Sequence, residues 1–332
     1  MRTWDEVREQ VELDDRNKWD MAVNANELKM AEDGTFMLPG QDGPVPVQSR
    51  PNDYAIGQLC GRLEIPARYL RRLPHPLQAQ LINHDLKKVE NGDRRFMLRC
   101  KGSMIRAFLT EKYSRIDNRE VLDIVSNLAL QMDHQFREFY LDERGFWAKI
   151  LINDLRTWDP SHEGKELKLG LLIGNSEVGA RSISIEPFVY RYSCTNDMVI
   201  QEERSLHQRH MHLKTRELRM RVMEAVNNAI EGGDDALDRF SKSVEEEVDH
   251  PSAVIARLAK KRGLSEKLRD QVKSSYEEEP NKSRFGIINA FTATARKLDG
   301  DNRIDLERYA GKLLTAKLPD YPLTDEEKAE AA

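Results

Sequence analysis

The pattern of apolar residues changes at about residue 200, and this change constrains the fold more than any other feature of the chain. Before it, three segments alternate apolar and polar residues around a short turn: RRFMLRCKGSMIRAFLTEKYSRI, QFREFYLDERGFWAKILI and ELKLGLLIGNSEVGARSISIEPFVYRYSC. This alternation predicts antiparallel β-hairpins that turn near Gly102, near Gly145 and within GNSEVG. After residue 200, apolar residues recur at helical spacing instead. The sequence therefore predicts an α+β fold, with antiparallel β-hairpins packed on a long helix and followed by a helical C-terminal region.

The predicted helices divide the chain into four regions. DNREVLDIVSNLAL, with Asp117 or Asn118 as N-cap, is predicted to be the helix on which the hairpins pack. SLHQRHMHLKTRELRMRVMEAVNNAIEGG is predicted to form a helix that ends at Gly232 and Gly233. The predicted regions are an irregular N-terminal arm or short hairpin (1–53), an α+β core (54–200), a helical region (201–320) and a disordered tail (321–332).

Two short helices are predicted at the start of the core, in YAIGQLCGRLE and ARYLRRL, joined at EIP. Such a pair could mimic a helix-turn-helix. Because that motif is degenerate in single sequences, a pair of small core helices is the favoured interpretation.

Charge and hydropathy limit the function classes. The formal net charge is −5, so contact with nucleic acid needs a local basic patch. No apolar run approaches the roughly 18 residues of a membrane span, and the start of the chain has no apolar signal segment. The cysteines Cys60, Cys100 and Cys194 lack a C-x-x-C pair, which argues against a disulfide framework or a zinc ribbon. We therefore expect a cytoplasmic protein without membrane contact.

Residues that could carry catalysis or bind a metal have simpler interpretations. Cys194 follows an alternating strand, where a small buried cysteine packs well, and no signature of a catalytic thiol accompanies it. On a predicted helix, His207 and His210 share a face but His212 does not, so one ion cannot bind all three. GNSEVG joins two strands and lacks the order of a phosphate-binding loop. An enzyme that uses Cys194, the histidines, Glu177 or Glu186 is thus the least supported class, and we expect no cofactor and no metal.

Basic and aromatic residues are the remaining functional signal. One densely positive segment contains Arg204, Arg209, Lys214, Arg216, Arg219 and Arg221. In the predicted strands, arginines alternate with Phe96, Phe108, Phe136, Tyr190 and Tyr192. Cations that follow phosphates and rings that stack on bases are the chemistry of a single-strand binding groove. The predicted DNA-contacting residues are Arg106, Arg191, Tyr192, Arg209, Lys214 and Arg216. Core aromatics and a solvated helix face are the alternative explanation.

Several stretches between roughly Tyr54 and Leu314 carry a family resemblance: AIGQLCGRLEIPARYLRRL, IRAFLTEKYSRIDNREVL, GNSEVGARSISIEPFVYRYSCTNDMV, and RFGIINAFTATARKL followed by ERYAGKLL. Together they resemble the phage/plasmid-like proteins built around a large domain of unknown function, found in bacteriophages, plasmids and prokaryotic genomes. CTND is the most specific motif, and the family usually has glycine in place of Asp197, at a turn whose left-handed conformation also suits Asp. The resemblance implies a mobile-element context and no established activity.

Two hypotheses of function follow. The first is a non-enzymatic protein that binds single-stranded DNA, and promotes annealing, in phage or plasmid recombination or replication; this binding core looks broadly like that of single-strand annealing recombinases. The second is a structural or interaction protein that oligomerises through its C-terminal helices without binding DNA. Both hypotheses predict a homo-oligomer in the bacterial or phage-infected host cell.

Overall fold

A computed structural model describes residues 3–38, 47–88, 94–129, 132–153, 167–191, 196–200, 205–211 and 215–319. The protein is mixed α+β, as predicted. The helices are α1 (Trp4–Asp15), α2 (Asp53–Arg62), α3 (Ala67–Leu70), α4 (His75–Leu86), α5 (Asn118–Ala129), α6 (Thr215–Glu245), α7 (Pro251–Lys261), α8 (Glu266–Glu278), α9 (Arg284–Ala295) and α10 (Gly300–Lys312). The strands are β1 (Lys18–Asn24), β2 (Lys29–Met30), β3 (Phe36–Leu38), β4 (Val47–Pro51), β5 (Arg95–Lys101), β6 (Met104–Thr110), β7 (His134–Asp142), β8 (Gly145–Ile152), β9 (Leu167–Asn175), β10 (Ile183–Arg191), β11 (Asn196–Val199) and β12 (Leu206–Gln208).

The first sheet has the strand order β1-β5-β6-β4-β3-β2. The predicted hairpin of β5 and β6 is confirmed, and its turn residue Gly102 has a φ of 55°, in the left-handed region that glycine tolerates. β1 pairs antiparallel with β5, and β4 pairs parallel with β6. One face of this sheet packs on α2, α3 and α4 around Leu59, Ile82 and Phe108.

Residues 3–38 and 47–53 form more than an irregular arm, and the short hairpin predicted as the alternative is present, because β3 pairs antiparallel with β2 and with β4. Thr3 and Glu6 form a capping box that starts α1, and β1 to β4 supply four strands of the first sheet. β1 is only partly buried, and β2 and β3 have two and three residues, so none of them shows a clear alternation. β1 pairs with the distant β5 and β4 with the distant β6, which a local pattern cannot reveal, whereas β2, β3 and β4 pair with their neighbours in sequence.

The second sheet has the strand order β11-β10-β9-β8-β7, and β12 pairs with β10. The predicted hairpins β7–β8 and β9–β10 are confirmed. Ala148 and Ile150 face a core shared with α1, α5 and α6, whereas Trp147 and Leu151 face the opposite side, where Ile304 of α10 packs. Helices therefore cover both faces of this sheet, in place of a single long helix under the hairpins.

Asp197 lies within β11, where it pairs with Tyr190 of β10, and not in the left-handed turn expected for the CTND motif. Its carboxylate therefore belongs to a sheet face instead of a loop.

The helix α6 differs from its prediction at both ends. The segment from Leu206 to Gln208 is the strand β12, because it pairs with β10, and the helix begins only at Thr215. Gly232 and Gly233 do not end the helix, which continues to Glu245. Ala236, Leu237 and Phe240 beyond the glycines are buried in the core, and this burial outweighs a cost of about 1 kcal/mol for each glycine.

The helices α7, α8 and α9 pack on one another and extend the core on which the second half of α6 lies. Within the described segments, no helix combines the length and the apolar character that crossing a bilayer requires.

Candidate nucleic-acid interface

Arg106, one of the predicted DNA contacts, is not on the surface. It is 3% exposed, and its Nη2 donates to Glu177 Oε2 at 2.8 Å. The loop GNSEVG between β9 and β10 brings Glu177 over this face of the first sheet. Alternation places Arg106 on one side of β6, but it does not show that a second part of the fold covers that side. The prediction for Arg106 is therefore wrong.

Glu177 is the centre of a buried ion-pair cluster that joins the two sheets. Its Oε2 accepts from Lys18 Nζ at 2.8 Å, and its Oε1 accepts from the backbone N–H of Asn118 at 2.9 Å. Burial alone would raise the pKa of Glu177, but Lys18, Arg106 and Arg99 outweigh burial and hold this pKa at about 2. The carboxylate is thus a structural anion and is closed to substrate.

Three carboxylates, those of Asp14, Asp15 and Glu177, lie close enough together to hold a metal ion. Lys18 Nζ lies 2.7 Å from Asp14 Oδ2, 2.7 Å from Asp15 Oδ1 and 2.8 Å from Glu177 Oε2. The ammonium group therefore occupies the position that a cation would take, and it neutralises part of the same charge. This cluster is better explained by the lysine than by a metal.

Glu186, the other carboxylate considered for catalysis, is also buried and ion-paired. It is 0% exposed and accepts from Arg308 Nε of α10 at 2.9 Å. His207 Nε2 lies 3.6 Å from Glu186 Oε2. The pair holds α10 on the sheet, and neither carboxylate faces an open cavity.

The histidines are not arranged as the sequence predicts. His207 lies on β12 and His210 follows this strand, so the two do not share a helix, while His212 lies outside the described residues. His210 is 3% exposed, and its ring stacks on Tyr113 with centroids 4.9 Å apart. Within residues 205–211 and the segments packed around them, neither ring nitrogen of His210 has a hydrogen-bond partner. Burial lowers the pKa of His210 to about 4.

Substitution His210→Phe is expected to remove part of the acid sensitivity of folding. The unfolded chain protonates this histidine below about pH 6.5, but the folded protein does so only below about pH 4. Stability contributed by the neutral ring is therefore present above pH 6.5 and is lost, by up to about 3 kcal/mol, as the pH falls to 4. Urea unfolding at pH 7, 6 and 5 measures this slope. The exposed His84→Gln serves as control, and equal slopes in wild type and His210→Phe would contradict the prediction.

The strand aromatics proposed for base stacking are part of the protein core. Phe96, Phe108, Phe136 and Tyr190 are 1%, 0%, 5% and 6% exposed. Their rings pack in the two sheet cores and cannot reach a base. Tyr192, the fifth aromatic residue predicted to stack on bases, lies outside the described residues, and so does Cys194.

Arg191 is partly buried and already has partners. Its Nη2 donates to Glu279 Oε1 at 3.1 Å, its Nη1 donates to Asn289 Oδ1 at 3.3 Å, and its guanidinium lies over the ring of Phe285. These contacts dock β10 on α8 and α9. A phosphate would have to compete with Glu279 for this guanidinium.

Arg209 and Arg216 are exposed, as a DNA contact requires, whereas Lys214 lies outside the described residues. Arg216 and Arg219 lie three residues apart on α6, and Met220 and Met223 continue the same exposed face. Met220 is 63% exposed and Met223 is 44% exposed. This face, which we call the α6 face, combines unpaired cations with flexible apolar side chains.

A second basic surface, not found from the sequence, lies on α7 and α8. Residues 257–273 contain seven Lys or Arg and only two acidic residues, in a chain of net charge −5. Lys260, Lys261, Lys267 and Lys273 are exposed, and among the helices from 215 to 319 no carboxylate forms an ion pair with them. A count of charge along the whole chain would have found this segment, which we call the α7–α8 surface.

Two clefts flank α8. The larger, of about 560 Å³, is lined by Arg262, Lys267, Lys297 and Asp305 together with the start of α8. The smaller, of about 330 Å³, lies between α7 and α8 and is lined by Lys260, Arg269 and Lys273, with Glu266 and Asp270. Since 100° separates successive residues of a helix, Lys267 and Gln271 point into one cleft and Arg269 and Lys273 into the other.

Cations therefore lie exposed and unneutralised on two surfaces of the helical region, while the cations of the sheets are largely neutralised by buried carboxylates. Unpaired cations of this kind bind phosphate. No family model matches this chain, and no curated protein or solved structure matches it either.

Proposed function

We propose that this chain is a non-enzymatic DNA-binding protein of a mobile genetic element. The observation that supports it is the concentration of exposed, unpaired cations on the α6 face and on the α7–α8 surface. The net charge of −5 opposes nucleic acid, so local patches must supply the attraction. The resemblance of the CTND segment to phage/plasmid-like proteins supports the mobile-element context.

The described strand aromatics are buried, so they do not supply the base stacking from which a preference for single strands was predicted. Binding to single strands through Arg209, Arg216 and Lys214 remains part of the proposal as an electrostatic contact. Annealing requires a stacking surface or an assembled groove. The annealing part of the proposal rests on the architecture that the sequence predicts.

Charge reversal at Arg216 on the α6 face and at Arg209, just after β12, tests the proposal. Arg209→Glu with Arg216→Glu is expected to weaken binding to labelled DNA by about tenfold or more and to lower the salt slope by about two. Fluorescence anisotropy at two salt concentrations measures both quantities. Lys29→Glu with Lys112→Glu changes the net charge equally on exposed residues of the first sheet region and is the matched control. Equal effects of the two double variants would show that net charge alone matters, and that outcome would count against a defined interface.

Assembly through the C-terminal helices is the second candidate function. Met220 and Met223 are large, exposed and one turn apart on α6, and exposed apolar residues of this kind mark contact surfaces. The mass of the protein in solution, measured beside the DNA titration, separates the two functions. A stable oligomer that ignores DNA at low salt would support assembly and reject DNA binding.

A further inference from the structure

The connection between α7 and α8 has the geometry of a tight helix–helix turn. Residues 262–265 join the two helices, and Gly263 has a φ of 76°. The backbone N–H of Leu264 donates to Ala259 O at 3.1 Å, which closes the end of α7, and Ser265 caps the start of α8. A Cβ at Gly263 would meet nothing within 4 Å, so the glycine is there for its backbone conformation.

The inner sides of α7 and α8 are fixed by a third helix. Leu258, Ala259, Val272 and Tyr276 are buried in one core with Phe291 of α9. Ala259, the residue before Lys260 near the end of α7, is 1% exposed. A pair of helices joined by a three- or four-residue turn that contains glycine, and packed on a third helix, is the architecture of DNA-binding helix-turn-helix units.

The outer side of α8 forms a polar ridge between the two clefts. Lys267, Asp270, Lys273 and Ser274 are exposed on this ridge, over the first nine residues of a 13-residue helix. The larger cleft lies on one side of the ridge, with Arg262 and Lys267 in its lining, and the smaller cleft lies on the other, with Lys260 and Lys273. A ridge with cations on both sides is complementary to a groove that has a phosphate chain on both sides.

We propose that α7, the Gly263 turn and α8 form a helix-turn-helix, and that α8 enters the major groove of duplex DNA while the cations of the two clefts contact the flanking phosphates. The inference rests on the proposed DNA-binding function and names its substrate class. The major groove of B-DNA is about 12 Å wide and admits an α-helix. Asp270 lies between Lys267 and Lys273 on the exposed side of α8, at the rim of the smaller cleft, where a carboxylate accepts from the exocyclic amine of cytosine.

Duplex DNA fits this surface better than a single strand. Binding of single strands relies on bases that stack on exposed rings, and no aromatic side chain is among the described residues that line either cleft. The cations lie on two sides of α8 and do not line a single groove of the protein. The α6 face remains the place for non-specific contact.

The main experiment compares one random-sequence DNA in duplex and single-stranded form, titrated with the full chain. Lys267→Glu with Lys273→Glu removes one cation from each cleft, and it is expected to weaken duplex binding by about tenfold or more while changing single-strand binding by less than about threefold. Both side chains are exposed, so the melting temperature should stay at the wild-type value and serves as the control for folding. If the melting temperature falls by many degrees, the milder variants Lys267→Gln and Lys273→Gln take the place of the charge reversals. They too are expected to weaken duplex binding more than single-strand binding.

A second measurement shows which groove of the duplex the protein contacts. Duplexes that the wild-type protein selects from a random pool are exposed to a reagent that methylates guanine N7, an atom in the major groove. Bound wild-type protein is expected to protect this atom from methylation. Asp270→Asn is expected to change the selected sequence without a comparable loss of non-specific affinity. Protection confined to adenine N3, which lies in the minor groove, would overturn the inference.

The remaining outcomes separate the inference from the proposed function. If Lys267→Glu with Lys273→Glu weakens both forms of DNA equally, or weakens neither while the α6-face variant abolishes binding, the helix-turn-helix is rejected and DNA binding stands. If the wild-type protein binds neither form at low salt, the proposed function fails and the inference fails with it.

Discussion

Replacing Lys149 by methionine is expected to lower the free energy of unfolding by about 3–5 kcal/mol. Lys149 is 2% exposed, and its Nζ lies 2.7 Å from Asp197 Oδ2 and 2.8 Å from Glu307 Oε2. Methionine fills a similar volume but leaves both buried carboxylates without the ammonium group. Arg303 still reaches both carboxylates, at 3.1 Å and 2.9 Å, so part of the stabilisation should survive. Urea unfolding followed by tryptophan fluorescence measures the change.

A double-mutant cycle with Glu307→Gln shows whether the loss comes from the broken ion pair. The double variant Lys149→Met with Glu307→Gln removes one uncompensated charge, so it is expected to be more stable than the sum of the two single losses predicts. Lys29→Met, at an exposed position, is the control and should stay within about 0.5 kcal/mol of wild type. A loss at Lys149 of less than about 1 kcal/mol would contradict the buried network.

The same network gives Asp197 a role that the CTND motif alone did not suggest. In the folded chain, Asp197 is 2% exposed and connects Lys149 of β8 with Arg303 of α10. The Asp197 carboxylate therefore compensates the charge of the buried Lys149 and of the partly buried Arg303.

The hairpins could be predicted because each depends on neighbouring residues. Gly102 has a φ of 55° and Gly179 one of 74°, and the strands beside them carry long apolar runs. The first sheet could not be predicted in full, since β1 pairs with β5 across more than 70 residues and β4 pairs parallel with β6. Local patterns carry no information on such partners.

The candidate interface was predicted only in part, for a related reason. Arg209 is exposed just after the short strand β12, and Arg216 is exposed in the first turn of α6. Arg106 lies in an alternating pattern that would also fit a surface residue, but Glu177 and Lys18 come from distant segments and bury it. The α7–α8 segment could have been found by counting charge along the chain, but the placement of its lysines on two sides of α8 depends on how the two helices pack.

Adding one methyl group at Gly311 is expected to cost about 3 kcal/mol or more, because α10 lies directly on β11 at this residue. A Cβ at Gly311 would lie 1.9 Å from the backbone oxygen of Val199, and this oxygen cannot move without disturbing the pairing of β11 with β10. Gly61→Ala on α2 is the matched control: its Cβ would meet nothing within 4 Å, so alanine should leave stability unchanged or raise it by up to about 1 kcal/mol. Urea unfolding of the two variants at neutral pH measures the contrast. If Gly311→Ala unfolds at the same urea concentration as wild type, α10 does not contact β11 as described, and the buried ion pairs that α10 makes with the second sheet would have to be abandoned with that contact.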